Sequence, residues 1–440
     1  MTPLRHALER AAGLARRARA RLFGSGLARD VNAAWRPAGA RGPRRALLLH
    51  VVELFRTKPG RHAHQNVGQV HELARALAER GYALDVADWF ERRPVLRGAY
   101  DLVIDLHPRE PALYDAHLAA NAKRLSYIGG MNPSWSNAAE RRRLEDLRAR
   151  RGVALKPRRQ VPPFPPGRFE SFDAMLTFAG TVAIRTFDEF RLPPVHRLVN
   201  NGYEDLVPTP PDRRDPRCFL FLASLGQVHK GLDLLLEVFA TRPELTLIVL
   251  SRFRQEPDFV DAYRRELFET PNIRAIGFLD VDAPAFRDAQ ERAGWLILPS
   301  CAEAQCGAIT VALSLGIPCV GSEACDIDNQ EVIRLPGTDL PTLGAMVDDL
   351  ARRSSSEVRE RSEASLALAR RAYTRRDYAR SIRAALDAVL EGALAPRPSH
   401  AGSAAGRPHG CFRRPFWDGT RRGTSSAHGA GSRRPRNRPG

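Results

Sequence analysis

The chain has 440 residues and a formal net charge of +18, from 68 Lys and Arg against 50 Asp and Glu. Residues 1–45 and 396–440 each carry a net +9, which leaves 47 basic and 47 acidic groups in the body, so the charge excess marks two arms rather than a nucleic-acid-binding core. No run of 18 apolar residues exists, which excludes a bilayer-spanning helix.

The first arm, residues 1–42, contains "LRHALERAAGLARRARARLF" (4–23). It lacks the uninterrupted apolar stretch of a secretory signal and reads as a basic amphipathic helix suited to a membrane surface. A cytoplasmic protein, peripheral at the membrane through that segment, is the expectation. "ALLLHVV" (46–52) then reads as a buried strand, and Val67, Val70, Leu73, Ala74 and Leu77 recur at helical spacing up to Gly81. "ALDVADW" (83–89), "YDLVIDLH" (100–107), "RLSYIGG" (124–130), "AMLTFAG" (174–180) and "HRLVNNG" (196–202) read as further strands.

Pro-rich "LVPTPPDRRDP" (206–216) reads as a linker, after which the pattern restarts. "CFLFLAS" (218–224), "LTLIVLS" (245–251), "NIRAIGF" (272–278), "GWLILPS" (294–300) and "IPCVG" (317–321) are strands. The helices between them are 231–241, 259–268, 283–293 and about 308–315. Two long helical patterns, about 356–373 and 376–391, close the ordered sequence. Residues 395–440, rich in Gly, Pro, Ser and Arg, read as a disordered basic tail. Alternating strands and helices predict an α/β chain of two successive doubly wound domains, 43–205 and 206–375, then a helix at 376–394. A ligand would sit in the cleft at the carboxyl ends of the strands.

Glu303 follows the strand "WLILPS" in the small-residue loop "AEAQCGA", just before a helix near Gly307. The amino end of a helix offers free N–H groups and partial positive charge, so a carboxylate and a phosphate site would be neighbours there. A cap or surface acid is the plainer reading of Glu303. Lys230 is one of only four lysines, against 64 arginines, and stands at a strand-to-helix junction, where it would open the next helix. A compact cation beside helix N–H groups suits a diphosphate leaving group, and a solvated loop lysine is the alternative. His107 ends a strand at the cleft edge and could meet a sugar hydroxyl or serve structurally. His62, His64, Gln65 and Asn66 could line the acceptor side or be exposed loop polars. The six cysteines form no C-x-x-C pair and have no ligand-spaced partners, so free thiols rather than a metal site are expected. No dinucleotide fingerprint, P-loop or nucleophile elbow occurs.

"FLASLGQVHKGLDLLLEVF", "NIRAIGFLDV" and "PSCAEAQCGAITVALSLGIPCV" resemble, in order and spacing, the second domain of GT-B glycosyltransferases of the family-4 type. "HQNVGQVHELARALAERGYALDVADW" and "RLVNNGYED" are similar to first-domain stretches of that group, and the resemblance spans about 46–390. It implies two facing Rossmann-like domains and transfer of a sugar from a nucleotide sugar to a glycan or lipid-linked acceptor, retaining and without a metal. Surface polysaccharide synthesis is the group's common setting. By position, Lys230 would hold the donor diphosphate and Glu303 the sugar hydroxyls. Gln305, Gly307, Ala308, Ile309 and Gly226 would line the donor, and Gly277 and Phe278 would lie near the base. His107 would approach the sugar. The last helix would cross back onto the first domain.

Three positions depart from the pattern. Val311 stands where the group has a second Glu, Leu225 where it has an Arg five residues before the Lys, and Ala304 where a related subgroup has Gly. Arg252, Arg254 or His229 would have to supply the missing charge. These departures keep a second expectation open: a non-catalytic GT-B scaffold that binds nucleotide sugar or a partner protein. Specific nucleic-acid binding is not expected, because the arms offer few aromatic stacking groups.

Overall fold

The computed structural model describes residues 27–37, 44–56, 64–89, 94–96, 98–108 and 111–391. The basic segment 4–23, His62 and the tail beyond 391 lie outside them.

The first run of strands is β1 (Arg44–His50), β2 (Tyr82–Asp88), β3 (Tyr100–Asp105), β4 (Leu118–Ile128), β5 (Ala174–Thr177) and β6 (Val195–Arg197). They form one sheet in the order β2-β1-β3-β4-β5-β6, every pair parallel. The second run is β7 (Asp215–Leu222), β8 (Thr246–Leu250), β9 (Ile273–Ala275), β10 (Ala293–Leu298), β11 (Cys319–Gly321) and β12 (Ile333–Arg334). It forms a second parallel sheet, β12-β11-β10-β7-β8-β9. Strands such as β2 and β10 are buried along their whole length, as expected where helices cover both faces. In each sheet the chain reverses direction once, beside β1 in the first and between β7 and β10 in the second. Such a switch leaves a crevice at the strands' carboxyl ends.

Seven helices position the site: α1 (Gln65–Glu79), α2 (Pro133–Arg151), α3 (Gln227–Lys230), α4 (Leu232–Phe239), α5 (Gly307–Ser314), α6 (Ser355–Ala372) and α7 (Arg375–Leu390). α7 begins with a capping box, Thr374 with Asp377. It buries Tyr378, Ile382, Leu386 and Val389 in the first-half core with Leu73 and Leu77 of α1. Arg383 pairs with Glu72 and Glu79, and Arg80 with Asp387, along the same seam. The C-terminal end of the described chain therefore lies on the first half.

α2 has no counterpart among the elements expected from sequence. It carries few apolar residues, and it crosses the other way. Its Leu147 is fully buried in the core of the second half, where Phe219, Val249, Trp295 and Leu313 also pack. Several expected elements are also shorter. The strand read over 196–202 keeps only Val195–Arg197, and the helix read over 259–268 is two short turns, Pro257–Ala262 and Arg264–Phe268.

The halves are joined by polar contacts as well. Gln65, at the start of α1, donates to the Asn201 carbonyl at 2.7 Å, to Thr310 Oγ1 at 2.9 Å and to the Gly307 carbonyl at 3.3 Å. Asp326 has a left-handed backbone (φ +56) and accepts from the N–H groups of Gly180 at 2.5 Å and Val182 at 2.9 Å. Thr181 Oγ1 donates to Asp328 at 2.8 Å.

Candidate functional site

Lys230 and Glu303 are 73 residues apart and meet as an ion pair, Nζ to Oε1. Each belongs to a loop leaving one of the two strands at the second sheet's switch, β7 for Lys230 and β10 for Glu303. The geometry is built by short-range stitching. The Cys301 N–H donates to the His229 carbonyl at 2.9 Å, and His229 Nε2 donates to the Ala302 carbonyl at 2.8 Å. Gly231 (φ +82) turns the chain after Lys230, and a Cβ there would stand 2.6 Å from Pro299. Only a glycine lets these two loops approach so closely. Lys230 therefore closes the four-residue α3 instead of opening α4, contrary to the sequence expectation. The glycine turn after it ends one helix and restarts the next.

The side chains of both partners are about nine-tenths buried, 10 % and 13 % exposed. Burial works against the Glu303 charge. Lys230 and a 2.7 Å hydrogen bond from Ser300 Oγ outweigh it and hold the carboxyl below its usual range. Ser300 is thus a member of the site, and the P-S-x-x-E spacing is its sequence signal. His229 is buried, and desolvation, with Lys230 beside it, pushes its pKa down to about 4. It is neutral near pH 7 and cannot replace the charge missing at Leu225.

α5 starts next to Glu303 with Cys306 at its cap. The Ile309 N–H donates to the Cys306 carbonyl at 3.1 Å, so the helix itself uses it. Gly307 and Ala308, both partly exposed, form its first turn, and the Gln65 side chain packs against Gly307. Gln305, whose φ is +38, spends its side chain on the halves' junction. It donates to the Phe178 and Leu198 carbonyls at 2.9 and 2.8 Å and accepts from the Asn200 N–H at 3.0 Å. Gln65 is likewise committed to the junction. Gln305, Gln65 and Ile309 thus all make hydrogen bonds within the fold.

His64 caps α1, its Nδ1 accepting from the Asn66 N–H at 3.3 Å. Desolvation lowers its pKa, and the nearby cations Arg159, Arg252 and Lys230 lower it further. Asn66 is exposed. The guanidinium of Arg252 lies 3.6 Å from the centre of the exposed Phe278 ring. Gly277 beside it has φ +106. Arg254 lies near Phe253 and Phe268, at 5.1 and 5.3 Å, and its Nε would stand 3.6 Å from a Cβ at Gly277. Asn272 of the N-x-x-x-x-G-F pattern clamps the end of α4, donating to the Phe239, Arg242 and Leu245 carbonyls at 2.8 to 2.9 Å.

His107 belongs to a first-half group. Its ring centre lies 5.0 Å from Trp89 and 6.1 Å from Phe164, and its proximity adds to the burial that pushes His50 down to about 4. Of the three residues expected to be catalytic, Lys230 and Glu303 are brought together, and His107 lies in this aromatic cluster.

Gly226, expected at the donor, has both its faces occupied. Its N–H donates to Glu256 Oε1 at 2.6 Å, and the Gln227 N–H to Oε2 at 3.2 Å. Above it runs Arg159. Neither Glu256 nor Arg159 was singled out from sequence, because neither lies in a patterned stretch. The five cysteines among the described residues, Cys218, Cys301, Cys306, Cys319 and Cys325, are all free thiols.

No protein-family model matches the chain, and no curated protein matches it in sequence. Solved structures do match it in fold. Anabaena HepE in complex with UDP-glucose is 13 % identical, with a TM-score of 0.51 over 78 % of this chain and 99 % of that one. A glycosyltransferase from Rickettsia africae is 10 % identical, with a TM-score of 0.52 over 80 % and 100 %. Sucrose-phosphate synthase from Thermosynechococcus elongatus is 14 % identical, with a TM-score of 0.52 over 79 % and 99 %. At these identities the likeness is one of architecture: two parallel six-stranded sheets with their helices, the GT-B fold of glycosyltransferases.

Proposed function

We propose that the protein is a glycosyltransferase of the family-4 type that moves a sugar from a nucleotide-sugar donor to a glycan or lipid-linked acceptor. The meeting of Lys230 and Glu303 at the second sheet's switch, beside the amino end of α5, carries this reading. Departure of a nucleoside diphosphate builds negative charge on phosphate and positive charge on the sugar. Lys230 and the α5 amino end would stabilise the first, and Arg252 would share the work. Glu303 would exchange part of its bond to Lys230 for the hydroxyls of the transferred sugar. Retention of configuration, independence of metal and a place in surface polysaccharide synthesis at the cytoplasmic face of a membrane follow from the family resemblance. Binding of UDP-glucose by the similarly folded HepE supports a nucleotide sugar as donor.

The test is a panel of nucleotide sugars offered with glycan and lipid-linked acceptors. Wild-type protein is expected to release nucleoside diphosphate and extend the acceptor. Lys230→Ala is expected to stop turnover, since losing one such group costs about 3–4 kcal/mol of transition-state stabilisation. Full activity in that variant would remove Lys230 from the mechanism. The mutual pairing of Lys230 with Glu303 favours a second reading, a scaffold that binds nucleotide sugar without turning it over. Thermal stabilisation by a nucleotide sugar with neither hydrolysis nor transfer would select it.

A further inference from the structure

We infer that Arg159, delivered from the first half of the chain, is a donor-binding residue that contacts the diphosphate beside Lys230, in the role left empty at Leu225. This rests on the nucleotide-sugar reading above.

The geometry starts with Gly226. Its backbone is left-handed at φ +89, and a Cβ there would stand 2.7 Å from Arg159 Cγ and 3.0 Å from Cδ. The glycine is a seat for the aliphatic stem of Arg159. Its own N–H is already given to Glu256, so its backbone is not the phosphate ligand. What this turn contributes is the cation that lies across it.

The segment 153–163 is irregular and has no sheet partner, yet it is fixed at several points. The carboxylate of Glu140 on α2, 2 % exposed, accepts from the Arg158 N–H at 2.8 Å and the Arg159 N–H at 2.9 Å. It also accepts from Gln160 Nε2 at 2.6 Å. Asn137 pairs with Val161 in both directions, at 2.7 and 2.9 Å. The Lys156 N–H donates to Asp258 of the second half at 3.0 Å, and Arg158 pairs with Asp258 as well. Thus both neighbours of Arg159, and its own backbone, are held.

The guanidinium itself is not held. Arg159 is exposed, and among the described residues no side chain pairs with it. Most other arginines at the junction of the halves are committed: Arg143 to the Pro299 carbonyl, Arg150 to Asp233, Arg151 to Glu266. Ordering a backbone so tightly around an unpaired cation costs conformational entropy, which a bound anion would offset. Arg159 is also close enough to His64 and His229 to depress the protonation of both, as Lys230 does. The two cations therefore act on one region, which takes ligands of the diphosphate class.

The experiment measures affinity for UDP, GDP and ADP, and for the corresponding nucleosides, by titration calorimetry. Arg159→Gln keeps the Cγ and Cδ packing on Gly226 and removes the charge. Its affinity for the preferred nucleoside diphosphate is expected to fall about 10- to 100-fold, with nucleoside affinity unchanged. Arg159→Lys is expected to retain part of the lost affinity. Diphosphate affinity within twofold of wild type in Arg159→Gln, or an equal loss for nucleoside and diphosphate, would overturn the assignment and leave the proposed function standing. If wild-type protein binds no nucleoside diphosphate, the functional reading fails and this assignment with it.

Discussion

Lys230 and Glu303 are nearly out of water, so each is stable as an ion mainly because the other is present. Removing Lys230 alone should therefore cost stability as well as activity, by about 3 kcal/mol, the low end for breaking a buried pair. Adding Glu303→Gln to Lys230→Ala should recover most of the stability and none of the turnover. Denaturant unfolding of the single and double variants checks this, and equal stabilities would show that the pair is effectively solvated. His50 and His229 make a pH prediction. Burial drives both to about 4, from an ordinary 6.5. Between those values the unfolded chain binds more protons, so their contribution is complete above pH 6.5 and is lost as pH falls toward 4. For His50 the shift is worth roughly 3 kcal/mol. Asp233, whose burial pushes it up to about 6 despite Arg143 and Arg150, works in the opposite direction over nearly the same interval. It offsets about one of the two histidines, so Tm should drop between pH 7 and pH 5. His50→Leu should flatten that drop, and a Tm independent of pH would contradict the burial argument.

At the scale of elements, part of what joins the two halves is polar. The Asp326 carboxylate receives the amino end of the short helix Thr181–Arg185, and its own backbone is left-handed. Asp326→Ala would leave buried N–H groups without an acceptor and place a Cβ residue without side-chain compensation at positive φ. A loss of about 2–4 kcal/mol is expected from those two terms together. Asp326→Asn keeps an acceptor and tolerates that backbone, so it should cost under about 1 kcal/mol. Equal unfolding midpoints for the two variants would mean that the junction does not depend on this cap. α2 illustrates why one element escaped the sequence reading. Asn132, Pro133 and Gly152 are proper start and stop signals, and Asn132 does accept from the Ser134 N–H. Between them the helix is dominated by arginine and acid, because its partners are the charged groups Asp233, Glu237 and Glu266. Apolar periodicity finds helices that face a core and passes over one that faces charges.

On the scale of the whole molecule, the chain ties its halves by exchange. α2 lends Leu147 to the second core, and α7 lends Tyr378, Ile382, Leu386 and Val389 to the first. Burying four such side chains is worth about 6–12 kcal/mol, comparable to the whole stability of a domain. A chain ending at Ala372 should therefore fail to reach the native state, read as lost near-ultraviolet circular dichroism and an absent cooperative unfolding transition. A cooperative transition in that fragment would show that α7 is an accessory.

The sequence by itself determined the two runs of strand and helix, their parallel order and the loops that bear Lys230 and Glu303. These follow from short-range periodicity and turn residues. Only the tertiary structure decided which of the candidates meet, as Lys230 and Glu303 do. Gln65, Gln305 and Ile309 lie in the motifs, yet their hydrogen bonds are given to the fold. Arg159 lies in no motif, yet it is laid over Gly226. Contact between residues tens of positions apart depends on how helices and loops close over one another, and that is set by packing, which no local spacing records.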